Sequence, residues 1–257
     1  MRRKMIILKS LELTKSFGKL LAVNKVSIEF KQGELTAIIG PNGAGKSTYF
    51  NLLSGRLKPS SGTIYYKDDN VTGLPPYEML RRGVGRSFQI TNIFPGLTAF
   101  ENMRIGTLAH RRYGHKLFSQ VDKMGEITKG AIRGLELVGL EEEKDTIVGA
   151  LSYGDQRRLE IGLTLTCNPE IMLLDEPTAG MNPEETKMLT TLIKRISLEQ
   201  GVTVIFTEHD MSVVFGISER IIVLQQGSVI ADGTEGEIRS DDRVKVAYLG
   251  VEGDAGY

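Results

Sequence analysis

The chain has 257 residues, 40% of them hydrophobic and 25% charged, which suits one α/β domain or a core with a subdomain. Lys+Arg and Asp+Glu are both 32, so no global field steers the protein onto nucleic acid or an anionic membrane. The single cysteine, Cys167, rules out an internal disulfide and points to a reducing cytoplasm, and no apolar run approaches the length of a membrane span.

From the N-terminus, Ile6 to Leu13 predicts a strand and Thr14-Lys15-Ser16-Phe17-Gly18 a turn. Val26 to Phe30 alternates strictly, and Gln32-Gly33 closes it. These early strands suggest a small antiparallel layer beside a main sheet. Leu35 to Ile39 is a continuous apolar run, expected as a buried strand. It leads into Gly40-Pro41-Asn42-Gly43-Ala44-Gly45-Lys46-Ser47, and Thr48 to Leu53 then reads as the first turns of a helix.

The order strand, glycine loop, helix gives this octapeptide its physical meaning. It matches the phosphate-loop template, with Lys and Ser directly after the second templated glycine. Glycines let the backbone curl so that several N–H groups face one phosphate, and the helix start adds unpaired donors and a partial positive charge. Lys46 supplies a cation for the β- and γ-phosphates, and Ser47, followed by Thr48, a hydroxyl for Mg²⁺. The expected ligand is a nucleoside triphosphate with Mg²⁺.

Thr63 to Tyr66 and Val84 to Phe88 predict further short strands. From Ile90 to Cys167 the pattern turns helical. Thr98 with Glu101 and Ser152 with Asp155 form capping boxes, and Ile127, Ala131, Leu135 and Val138 recur at helical spacing before Gly139. Residues 90–167 are therefore expected as a helical subdomain inserted into an α/β core of 1–89 and 168–250, with 251–257 a loose tail.

The core resumes with Ile171 to Leu174, another buried strand, ending in Asp175-Glu176-Pro177. Neighbouring side chains in extended backbone diverge, so Asp175 can serve Mg²⁺ while Glu176 polarises the attacking water. Asn182-Pro183-Glu184-Glu185 is a strong helix start, and Gly201 ends that helix. Val202 to Phe206 predicts the next buried strand, and Ile221 to Ala231 a hairpin turning at Gln226-Gly227. His209 follows the strand in Thr207-Glu208-His209-Asp210, at the end where parallel sheets bind ligands.

Together the phosphate loop, Leu151-Ser152-Tyr153-Gly154-Asp155-Gln156, the Leu-Asp-Glu-Pro strand end and the later histidine resemble an ABC-type ATPase, the nucleotide-binding subunit of an ABC transporter. The resemblance covers residues 6 to 250 in the family's motif order. It implies a P-loop ATPase fold, an α/β core with a small antiparallel β layer and a helical subdomain, and ATP with Mg²⁺ as its ligands. It also implies that Leu151 to Gln156 caps the γ-phosphate of ATP held by a second subunit, with Ser152, Gly154 and Gln156 at that contact. Gly154 and Ser152 at a helix start make a second anion site, so the two halves imply a head-to-tail homodimer, or a heterodimer with a related ATPase.

By the same resemblance, Gln89 touches Mg²⁺ or the water, Phe17 stacks on adenine, and His209 contacts the γ-phosphate and orients the water beside Glu176. Two positions depart from the pattern: Tyr153 stands where a small residue is usual, and Asn182 where Asp is usual. Gly83 to Pro95, Ser152-Tyr153-Gly154 and the ending Val246 to Gly250 are similar to the branched-chain amino-acid importer ATPases, and also to lipopolysaccharide-export and urea-importer ATPases. The subgroup implies permeases in the membrane, a substrate-binding protein reached indirectly, a place at the cytoplasmic face of the membrane, and no nucleic-acid partner.

Overall fold

The computed structural model describes residues 5–86, 93–110 and 121–249. The strands in chain order are β1 Ile6–Phe17, β2 Leu20–Lys31, β3 Leu35–Ile39, β4 Ser61–Tyr66, β5 Asp69–Asn70, β6 Val84–Arg86, β7 Ile171–Asp175, β8 Thr203–Thr207, β9 Arg220–Gln225 and β10 Ser228–Gly233. The α-helices are α1 Lys46–Leu53, α2 Pro76–Arg82, α3 Ala99–His110, α4 Val121–Val138, α5 Tyr153–Leu165, α6 Pro183–Gln200, α7 Met211–Ile217, α8 Glu235–Ser240 and α9 Asp242–Leu249.

Among the described residues the strands form two sheets. The main sheet has the order β10-β9-β3-β8-β7-β6, parallel from β9 to β6, with β10 added antiparallel at one edge. The other is antiparallel, in the order β2-β1-β4-β5. In β3, β7 and β8 every residue is buried, as a strand covered on both faces requires. Alternate residues serve two cores. Ile38, Leu173, Ile205 and Ile222 meet α1 and the antiparallel layer, whereas Ala37, Met172, Val204 and Ile221 meet the helical side. The first core clamps the phosphate-loop helix between two sheets. The buried Tyr49 hydroxyl of α1 lies 2.9 Å from Ser10 Oγ of β1, fixing the helix to the small layer.

Helices α3, α4 and α5 pack on one another through Met103, Ala131, Leu135, Val138 and Leu159, and these residues share a core with α6 and the main sheet. Local capping follows the sequence. Thr98 and Glu101 exchange the reciprocal bonds of a capping box, as do Asn182 and Glu185. At Ser152 only half the expected box forms: its hydroxyl accepts from Asp155 N–H, while the Asp155 carboxylate pairs with Arg158.

One expectation fails in the first hairpin. Thr14 to Phe17 stay in β1, and the turn falls at Gly18 and Lys19. Bulges, with Glu12 at φ 44°, let Lys15, Ser16 and Phe17 keep pairing with β2, while Thr14 pairs with β4. Ladder hydrogen bonds outweigh the turn propensity of Thr14-Lys15-Ser16. Helices α2, α7 and α8 lack a long apolar period and are not evident in the sequence.

Candidate nucleotide-binding site

The parallel strand order puts three strand ends side by side: β3, then β8, then β7. Ile38, Thr207 and Asp175 are in register across them. The phosphate loop, His209 and Glu176 therefore leave the sheet at one edge, in that spatial order.

Gly40 to Gly45 form a loop that only a backbone without Cβ permits at its ends. A Cβ on Gly40 would stand 2.2 Å from the Leu224 carbonyl oxygen, and one on Gly45, where φ is 100°, 2.3 Å from that of Ala22. Lys46 is buried, and its ammonium donates to the carbonyls of Gly40 at 2.6 Å and Pro41 at 3.2 Å, spanning the loop. Burial lowers its pKa from the ordinary 10.5, with the carboxylates of Glu176 and Asp175 opposing that shift. Ala44 is buried beneath the loop, while Asn42, Gly43 and Ser47 are exposed and Pro41 and Thr48 half-buried.

Asp175 is buried at the end of β7 with both carboxylate oxygens engaged. Thr207 donates its hydroxyl to Oδ1 at 2.7 Å, and Arg86 donates from Nη2 to Oδ2 at 2.9 Å. The Thr207 hydroxyl oxygen in turn accepts from Glu176 N–H at 3.0 Å, so one β8 residue sets both acids.

Glu176 has φ 47°, in the left-handed region that non-glycine residues rarely adopt. That bend turns it out of the strand, and its Oε1 lies 2.9 Å from His209 Nε2. The pair is partly open to solvent, with side chains 27% and 47% exposed. Behind it the buried Glu208 accepts from the backbone and hydroxyl of Thr178 and from His209 N–H, tying the segment after Glu176 to the end of β8.

At the start of α5, Ser152 caps the helix and Gln156 Nε2 donates to the Leu151 carbonyl at 3.1 Å. Gly154 N–H donates to Glu185 Oε1 at 3.1 Å, and Glu185 Oε2 accepts from Asn182 N–H. Within one chain this helix start thus faces a carboxylate of α6. Phe17 is exposed at the end of β1, with Lys15 Nζ 5.2 Å from its ring centre. Gln89 lies outside the described residues.

The sequence assigns no site role to Arg86, Thr207, Glu208 or Glu185. Thr207 and Glu208 directly precede His209, and their proximity to it was the available signal. The role of Arg86 depends on a partner 89 positions away.

The residues fit a triphosphate. The glycines let the loop pack against the Leu224 and Ala22 carbonyls where a Cβ would clash, and a buried lysine spans the same loop. They also fit Mg²⁺ bound chiefly by phosphate oxygens and water, with the exposed Ser47 hydroxyl as one ligand. Asp175, already paired at both oxygens, suits a contact through water. Among the described residues no three acidic, histidine or cysteine side chains gather into an all-protein cage.

A family model described as "ABC transporter" matches residues 23–179, and one described as "Branched-chain amino acid ATP-binding cassette transporter" matches 228–254. The chain is 44% identical over 241 residues to the Escherichia coli (strain K12) high-affinity branched-chain amino acid transport ATP-binding protein LivG, covering 91% of this chain and 94% of LivG. It superposes on an ATP-binding cassette of an ABC transporter in its ADP conformation with TM-score 0.85 and 31% identity, covering 96% of this chain and 100% of that one. It also matches a dimeric cassette in a post-hydrolysis state bound to ADP and Pi, with TM-score 0.74, 30% identity, and 89% and 98% coverage.

Proposed function

The chain belongs to the ABC transporter ATP-binding family, and from that premise we propose that it is the ATP-hydrolysing subunit of an importer for branched-chain amino acids. The support for that substrate class is the C-terminal match at 228–254 and the transport system named for the relatives. One observation carries the ATPase reading: the phosphate loop, Glu176 and His209 leave one edge of three adjacent parallel strands.

In this reading Lys46 and the loop N–H groups hold the β- and γ-phosphates, and Phe17 stacks on the adenine, a contact worth about 1–3 kcal/mol that selects poorly among bases. Bound Mg²⁺ would neutralise charge on the phosphates, with Ser47, Asp175 and Gln89 as the residues that would hold it. Glu176 accepts the proton of the attacking water, and His209, 2.9 Å away, holds that carboxylate in place. Ser152, Gly154 and Gln156 of a second copy or a related ATPase close over the γ-phosphate. Gly154 N–H can serve a phosphate only when Glu185 releases it.

Closure is favoured because ATP contacts both halves only in the closed pair. That motion reaches the membrane through permease subunits contacted near Gln89, which would hold the protein at the cytoplasmic face. Among the described residues no helix is long and apolar enough to cross a membrane itself. The test is reconstitution. Integral membrane partners should co-purify with this chain, and proteoliposomes holding them with a substrate-binding protein should accumulate leucine, isoleucine or valine only with ATP on the side of this subunit. Uptake without ATP, or co-purification of no membrane protein, would sink the proposal.

A further inference from the structure

Arg86 is the last described residue of β6 and sits where three elements meet. Its Nη2 donates to Asp175 Oδ2 on β7 at 2.9 Å, and its Nη1 donates to Asn51 Oδ1 at 2.7 Å and Ser54 Oγ at 2.8 Å. Asn51 lies one turn along α1 from Ser47, and Ser54 caps that helix. One guanidinium therefore joins the helix that carries the Ser47 hydroxyl to the strand that carries the Asp175 carboxylate. The Arg86 and Asp175 side chains are only 6% and 1% exposed.

We propose that Arg86 is a positioning residue for magnesium: it aims the Asp175 carboxylate and fixes its distance from the phosphate-loop helix. The idea rests on the ATPase reading above.

Two effects compete. A positive guanidinium beside Asp175 repels a divalent cation, so removing it would strengthen magnesium binding if charge alone mattered. Asp175, left with only the Thr207 hydroxyl as donor, would instead turn away from the position in which the fork holds it. A buried carboxylate oxygen left without its donor costs more than a repulsion screened by water and phosphate, so the second effect wins. The geometry also demands the planar fork of arginine. An ammonium is a point charge that reaches Asp175 or the Asn51–Ser54 pair but cannot span both.

The experiment measures the equilibrium affinity of a fluorescent ATP analogue with excess Mg²⁺ and with EDTA, for wild type, Arg86→Met and Arg86→Lys, alongside thermal unfolding. Affinity in EDTA reports the loop and Lys46 and should stay within about twofold of wild type. The magnesium-dependent gain should fall about tenfold in Arg86→Met and about threefold in Arg86→Lys. A gain that is unchanged or larger in the folded variants overturns the proposal, as does an equal loss with and without magnesium. If Arg86→Met does not fold, Arg86→Lys, which keeps the buried charge, decides alone. A wild-type chain that binds no analogue at all would instead overturn the ATPase reading itself.

Discussion

The molecule has two glycine-bearing helix starts that resemble anion cradles, and they are built differently. At the first, before α1, the glycines take conformations closed to other residues, and a buried lysine crosses the loop. Among the described residues, nothing negative is bonded there. At the second, before α5, the backbone is ordinary: Ser152 is extended, its hydroxyl caps the helix, and Glu185 accepts from Gly154 N–H. The first cradle is complete in one chain. The second is satisfied by its own side chains and, in the proposed closure, would gain a phosphate only by exchange with Glu185.

The largest effect that tests this contrast is on turnover. Glu176→Gln should lower ATP hydrolysis by about 10²–10⁴ while leaving ATP bound, because an amide cannot take a proton from water. With hydrolysis blocked, size-exclusion chromatography should show an ATP-dependent dimer joined through the second cradle. Hydrolysis at the wild-type rate would remove Glu176 from its assigned role.

Next in size is Lys46→Ala, expected to weaken ATP binding by about 10²-fold, since charged hydrogen bonds to phosphate are among the strongest. Titration by fluorescence or calorimetry would show it, and unchanged affinity would contradict the first cradle. The same lysine sets an alkaline limit. Its folded-state pKa is lowered, so the cation is lost at lower pH than for an ordinary lysine, and ATP affinity should decline with a midpoint below 10.5. An affinity independent of alkaline pH would mean that the ammonium does not face the phosphates.

Ser152→Ala separates the cradles directly. It removes a helix cap, costing about 1 kcal/mol in a denaturant unfolding curve. It should leave ATP affinity of the monomer unchanged while weakening ATP-driven dimerisation in the Glu176→Gln background. The smallest expected change belongs to Glu185→Gln. Without its charge the side chain competes less well for Gly154 N–H, so that background should dimerise at about two- to threefold lower ATP. A higher ATP requirement would show that Glu185 supports closure.

The two cradles were also unequally legible. Gly40 to Ser47 announces itself because a strand, a fixed glycine spacing and a helix are all local, and the apolar runs at Leu35–Ile39, Ile171–Leu174 and Val202–Phe206 each became strands of one sheet. Ser152 was equally local as a cap. The partner of Gly154, 31 residues on, was not, and neither was the bond between Thr207 and Asp175, 32 residues apart. The turn expected at Thr14 to Gly18 failed for the related reason that β2 and β4 continue the ladder past polar residues.

Sequence alone determined which groups carry charge and which backbone stretches can curl, cap or lie buried, because those properties depend on residue type and on neighbours within a few positions. The tertiary structure decided which of these groups share a site. Strand order β3-β8-β7 set His209 between the phosphate loop and Glu176, and burial forced Asp175 to take Arg86 and Thr207 as partners. A carboxylate removed from water must find donors wherever the packed chain supplies them, and spacing in sequence does not say where that is.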